Sequence, residues 1–375
     1  MTRSCGENTG FAAILLAAIL LCLGTGALAA PHPVPNVTYL AASPEGRLLA
    51  SATSRGWLSI WDLRRGRPLT VFKAHDDDIH VLRFSADGAL LLTGSHDNTA
   101  KLWSVPDFRN VQTFKAPGQV TGGAVLAGGA RVALGLWDGS LAIWDTRTGQ
   151  PQIAVAGHMF GRVTVDVSPG GDRLVSGGSD QTIRLWSADT LEPVRLLSSG
   201  EQGNKAHLGI VYHVRFLDRD RILSLASRGG AVLDYVGLWN TESGERLNAL
   251  EGSGEWAGVT LSGDGARALF ANRDDGDQRA VVFDPAGWQP VRVLDPADGI
   301  KASALLPNGR IAVTGSAAGR LSFWDVETGD LLAAAWNRFD AGWGVETPDG
   351  RTDTGGDGPR LLAALLAPRL TGADQ

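Results

Sequence analysis

The chain has 375 residues, 34 of them basic and 40 acidic, for a net charge of −6. That balance excludes the basic stripe of a general nucleic-acid binder, and no Lys/Arg cluster longer than Arg64-Arg65 interrupts it. With 43% hydrophobic and 20% charged residues the composition is globular, and two cysteines, Cys5 and Cys22, are too few for a disulfide framework.

The first element is a targeting segment. Phe11 to Leu23 is a thirteen-residue apolar run, short of the ~20 residues a membrane span needs. Ala27-Leu28-Ala29 then supplies a small-x-small cleavage pattern. Residues 1–29 are expected to be a signal peptide of bacterial type, cut before Ala30. The mature protein would then be periplasmic or secreted, without a membrane span and without a thiol. Retention of the segment as an inner-membrane anchor is the alternative. Leu21 before Cys22 argues against a lipoprotein signal.

Beyond it the sequence repeats. In the stretch Gly157 to Ser187, strands are expected at Arg162–Val167, Arg173–Gly177 and Thr182–Trp186, each β-branched or aliphatic and bounded by Gly, Pro, Asp or Ser. His158, Ser176, Asp180 and Trp186 stand in it at intervals that His75, Thr93, Asp97 and Trp103 repeat. The aromatics closing successive third strands are Trp61, Trp103, Trp144, Trp186, Trp239, Phe283 and Trp324, mostly 41 to 44 residues apart. The one long step, 53 residues, contains two insertions, Ser198–Lys205 and Arg228–Val236.

Gly157-His158, with Ala74-His75 and Ala206-His207, and the pairs Trp61-Asp62, Trp144-Asp145 and Trp324-Asp325 resemble the WD-repeat β-propeller family over roughly Asn36 to Trp336. The resemblance implies an all-β fold: a seven-bladed propeller of four-stranded antiparallel blades over residues 30–336, followed by a short tail at 337–375. It also implies a buried network in which Asp accepts from His, His bonds Ser or Thr, and that hydroxyl meets the indole N–H. The networks are His75–Thr93–Asp97–Trp103 and His158–Ser176–Asp180–Trp186. Blade one has Arg55 in the place of the aspartate. Blade three keeps Asp138 without a histidine, and blade six has Phe283 for tryptophan.

A Ser, a His and an Asp together invite a hydrolase reading, but Ser176 is on no Gly-x-Ser-x-Gly elbow and the constellation recurs in separate blades. His75-Asp76-Asp77-Asp78-Ile79-His80 invites a metal, yet His75 belongs to its blade and His80 to a first strand. Asp274-Asp275-Gly276-Asp277 fits no calcium loop. No catalytic residue, metal or cofactor is expected. Function should lie on loops held by the rigid scaffold. The blade connections and second turns place His96, Trp137, Asp138, Met159, Phe160, Arg228 and Trp256 near one rim, residue types that anchor interfaces.

In the tail, Gly342 to Arg351 has the shape of another first strand and turn. It could extend the closing blade, pair with the Val34–Leu40 region or pack below the barrel. Leu361–Leu370 is a short apolar helix. The favoured reading is a non-catalytic scaffold exported to the cell envelope, with a protein partner there. The alternatives are a small-ligand-binding or enzymatic propeller using the channel mouth, and a membrane-anchored envelope sensor or assembly subunit.

Overall fold

The computed structural model describes residues 36–199, 203, 205–227, 234–252, 256–272, 278–338, 342–354 and 361–371. Among these residues the strands form seven sheets, each beginning with four consecutive antiparallel strands. They are called a to d from the channel outward. Blade one is Val37–Ala42, Leu48–Thr53, Trp57–Asp62 and Arg67–Lys73; blade two is Ile79–Phe84, Leu90–Ser95, Thr99–Ser104 and Asn110–Lys115. Blade three is Val120–Val125, Arg131–Leu136, Ser140–Asp145 and Pro151–Ala156; blade four is Val163–Val167, Arg173–Gly178, Ile183–Ser187 and Pro193–Leu197. Blade five is Ile210–Phe216, Arg221–Ser227, Asp234–Asn240 and Arg246–Gly252; blade six is Trp256–Leu261, Ala268–Asn272, Ala280–Asp284 and Gln289–Leu294. Blade seven opens with Ala302–Leu305, Ile311–Gly315, Arg320–Asp325 and Leu331–Arg338.

Local chemistry sets the turns. At Ser43-Pro44-Glu45-Gly46, Ser85-Ala86-Asp87-Gly88 and Ser262-Gly263-Asp264-Gly265, the serine hydroxyl accepts an amide N–H five residues on, at 2.9 Å in each case. Ser85 and Ser262 also donate to the aspartate of the turn, both at 2.6 Å. Such side-chain bonds replace a ladder bond and fix the reversal. Burial then follows position in the blade. Strand b of blade one is buried at every residue, whereas strand d of blade four is mostly exposed.

Two features depart from the simple repeat. In blade five, Asp234–Val236, expected inside an insertion, belong to strand c, with Tyr235 opposite Ala226 and Val236 opposite Leu225. The other departure is at the seam. Blade seven continues with Gly342–Glu346, antiparallel to Leu331–Arg338, and with Thr352–Asp353. Of the three placements considered for the tail, this is the one that extends the closing blade. Its turn, Thr347-Pro348-Asp349-Gly350, repeats the a–b turn, with Arg351 N–H donating to the threonine hydroxyl at 3.1 Å. An a–b hairpin of the repeat has been added to the blade's outer edge. The helix Leu361–Thr371 follows, burying Leu362 and Leu366 in one cluster with Trp61 and Leu63 of blade one and Val313 and Phe323 of blade seven.

Candidate functional site

The blade networks come first, because they fix the loops. In blade two, His75 Nδ1 lies 3.0 Å from Asp97, its Nε2 lies 2.7 Å from the Thr93 hydroxyl, and Trp103 Nε1–H donates to that hydroxyl at 2.9 Å. Blade four repeats this at 2.9 Å, 2.7 Å and 2.8 Å with His158, Asp180, Ser176 and Trp186. Indole is only a donor, so the hydroxyl proton points at Nε2 and the imidazole carries its proton on Nδ1. Burial lowers the His75 pKa against the pull of Asp97, which agrees with a neutral ring. Burial opposes the charge on Asp97 and Asp180 as well, but bonds from the histidines and from Thr99 and Thr182 hold both carboxyls below the usual range. Those threonines, which donate to the aspartates at 2.6 Å and 2.7 Å, are members that the sequence intervals did not single out. Asp97 Oδ2, already bonded to His75, also accepts the Asp76 N–H, and Asp180 Oδ2 accepts the Met159 N–H, so each network also grips a blade connection.

The arrangement has the hydrogen-bond order of a hydrolytic triad, yet Ser176 and Thr93 have no exposed surface and already accept an indole N–H. Elsewhere the network is reduced in a consistent way. Trp239 and Trp324 donate to Ser224 and Thr314 at 2.7 Å and 3.0 Å. In blade three Leu134, opposite Ala142, takes the hydroxyl's place, and the buried Trp144 N–H has no acceptor among the described residues. Blade six replaces both partners: Phe270 and Phe283 pack edge to face, centroids 5.6 Å apart.

On the face carrying the b–c turns and the blade connections, two loops are tied together. The b–c turn of blade three and the connection into blade four exchange bonds: Gly161 N–H donates to Trp137 O at 2.8 Å and His158 N–H to Gly139 O at 2.8 Å. Gly139 has φ +90°, and a Cβ there would lie 2.4 Å from His158 O, so the close approach requires glycine. This platform presents Trp137 (39% exposed), Met159 (72%) and Phe160 (73%), with Trp137 and Phe160 edge to face at 6.2 Å. The other large apolar side chains exposed among the described residues lie on d strands, such as Val111, Val194 and Val293.

From the platform a row of rings leads inward. His96 meets Trp137 at 6.2 Å and stacks on His80 at 3.7 Å, and His80 meets Tyr39 at 5.9 Å. Tyr39 accepts from Arg162 at 2.8 Å, and Arg162 also lies over the Tyr212 ring. His80, Tyr39, Arg162 and Tyr212 were not anticipated at the rim. In strand a of five blades one residue is bulged out of the pairing register: Thr38, His80, Thr121, Tyr212 and Ala257. A bulge re-aims a side chain, which breaks the period of two on which a sequence reading depends. Of the seven residues expected at the rim, His96, Trp137, Asp138, Met159 and Phe160 stand together. Trp256 begins strand a of blade six opposite Asn272, with its side chain outside the described residues. Arg228 lies outside the described residues altogether.

Residues 28–62, 66–104 and 149–187 match the family model of the WD domain, G-beta repeat. These three segments are similar to WD repeats. They fall on blades one, two and four, and the last two hold the complete networks. Similar proteins include Periodic tryptophan protein 2 of Arabidopsis thaliana, 27% identical over 64% of this chain and 25% of its own length. Polyadenylation factor subunit 2 of Gibberella zeae is 31% identical over 42% of this chain and 26% of its own. Angio-associated migratory cell protein of Homo sapiens is 27% identical over 46% and 40%. The chain thus spans well under half the length of these eukaryotic relatives, and the resemblance lies in the repeats.

The channel of this propeller is electrostatically uneven. Burial, reinforced by the charge of Arg162, pushes His80 down to about 3, so the stacked His80–His96 pair is neutral near pH 7. Deeper in, Arg215 bonds Asp166 at 3.2 Å, and burial raises the Asp166 carboxyl to about 6 despite the pull of Arg83. Among the described residues no helix is long and apolar enough to cross a membrane, and no group of three His, Cys, Asp or Glu side chains is arranged to hold a metal ion. His75, from the loop weighed for a metal, has both ring nitrogens engaged within its blade.

Proposed function

We propose that this propeller is a non-catalytic scaffold that binds a protein partner through the platform of blades three and four. WD-repeat propellers generally mediate protein–protein interactions. The observation that carries the reading is the cluster Trp137, Met159 and Phe160. These are large apolar groups held in water by hydrogen-bonded loops, set apart from the ordinary exposure of outer strands. Aromatic and Met side chains on a preorganised loop lose little entropy on docking, and they are over-represented where binding energy concentrates. The non-catalytic part of the reading draws on the burial of every Ser–His–Asp group in the blades.

Export to the cell envelope is part of the same proposal, and it rests on the sequence of residues 1–29 alone: the apolar run and the Ala27-Leu28-Ala29 pattern. The partner would then be an envelope protein. Crosslinked pull-down with the wild-type chain and with a Trp137→Ala/Met159→Ala/Phe160→Ala variant tests the surface. Capture by the first and loss by an equally folded second supports it, whereas equal capture by both rules the platform out. Fractionation and the N-terminal sequence of the isolated protein test export. A product beginning at Ala30 in the soluble envelope fraction supports it, and an intact cytosolic chain refutes it.

A further inference from the structure

The opposite mouth of the channel, on the face of the a–b turns, has a charge imbalance unrelated to the platform. Strands a of blades two, four and five bring Arg83, Asp166 and Arg215 to the wall of one cavity. Arg215 is committed: it bonds Asp166 Oδ1 at 3.2 Å, while Asp166 Oδ2 accepts the Phe216 N–H at 2.9 Å. Arg83 makes no hydrogen bond or ion pair with any described residue, and its surroundings are strongly desolvating. A guanidinium does not discharge, so the cavity holds two positive charges against one negative. A desolvated charge of this kind calls for a counter-charge. The remaining wall is largely apolar, including Leu40, Phe84, Leu261 and Leu305.

We propose that this mouth of the channel binds a monocarboxylate with a short apolar tail, its carboxylate on Arg83 and its tail against the leucines. A single negative charge balances the cavity, while a dianion would be repelled by Asp166. The planar guanidinium matches a carboxylate in two parallel bonds. Apolar walls reward a hydrocarbon tail that phosphate or sulfate lacks.

The test is calorimetric titration of the purified protein with hexanoate, with inorganic phosphate and hexylamine as the contrasting probes. Hexanoate should bind saturably with one site, and the other two should not. Arg83→Gln removes the charge and the guanidinium fork while keeping a polar, uncharged side chain, and should weaken hexanoate about tenfold or more. Asp166→Asn, which retains an acceptor for Phe216 N–H, should tighten it. No saturable hexanoate binding, unchanged affinity in Arg83→Gln, or phosphate binding as tight as hexanoate would each overturn the proposal. Circular dichroism of both variants guards against loss of fold, and Arg83→Gln decides the matter by itself if Asp166→Asn does not fold.

Discussion

At the scale of single residues, the same aspartate does different work in different blades. Asp180 accepts from His158, Thr182 and a loop amide and is nearly buried, whereas Asp138 is exposed and, among the described residues, its side chain bonds only the amide and hydroxyl of Ser140. In blade three Ala116 occupies the histidine's place, donating its N–H to Asn98 O as His158 does to Gly139 O. Asp180→Ala therefore strands buried donors and should cost about 1–3 kcal/mol, while Asp138→Ala should stay within about 0.5 kcal/mol. Urea unfolding of the two variants compares them directly, and equal losses would mean that the network contributes nothing beyond its turn. His80 gives a second prediction, in pH. Its folded pKa of about 3 lies below the ordinary histidine value of about 6.5, so its contribution is complete above pH 6.5 and is lost as pH falls toward 3. Each unit in that window removes about 1.4 kcal/mol. His207, lowered to about 3 by burial, acts in the same direction; Asp166, raised to about 6, acts oppositely below that pH. His80→Phe preserves a flat ring against His96. Between pH 7 and pH 5 its melting temperature should fall less than that of the wild type, and parallel profiles would remove His80 from the account.

At the scale of elements, the sequence reveals what repeats and hides what breaks the repeat. The third-strand aromatics mark the seven blades because each must be buried against its own sheet, and that need recurs at every turn of the period. The template strands lie within one residue of expectation: Val163–Val167, Arg173–Gly178 and Ile183–Ser187. His96, Trp137, Asp138, Met159 and Phe160 could be placed because the loops are short and their offsets from Trp103, Trp144 and Trp186 are fixed. His80 and Tyr212 could not, since a bulge changes the face a side chain takes without changing chain length. Nor could the partnership of Trp137 with Phe160, because it joins different blades and follows from how far each b–c turn leans on its neighbour. The insertion in blade five misleads for a related reason. Apolar Val236 reads equally as loop or as strand until its partner Leu225 is known.

At the scale of the whole molecule, the question is how the ring stays closed. Among the described residues every blade is made of consecutive strands, and no described strand from one end of the chain completes a sheet begun by the other. What joins blade seven to blade one is noncovalent. Val37 N–H donates to Ser316 O at 3.2 Å, and Val37 and Leu40 pack with Val313. The tail adds to this seam from outside. Trp343 sets its ring edge to face on Trp61 at 6.4 Å, Leu366 is fully buried in the seam cluster, and Arg369 pairs with Asp325. Arg369 O also accepts from the Asn308 side chain at 2.7 Å, which anchors the helix to the a–b turn of the same blade. The tail thus packs on Trp61, whose indole N–H finds no acceptor among the described residues and which is held there by packing. If the seam is the weak point of the ring, a cavity there should lower the stability of all seven blades together. Leu366→Ala should cost about 2–5 kcal/mol in a single cooperative transition, whereas Leu247→Ala, on an exposed outer strand, should cost far less. Thermal unfolding followed by tryptophan fluorescence and by circular dichroism separates the cases. Coincident, strongly shifted transitions for Leu366→Ala place the tail in the closure, and a small early transition beside an unchanged main one would make it a separately melting appendage.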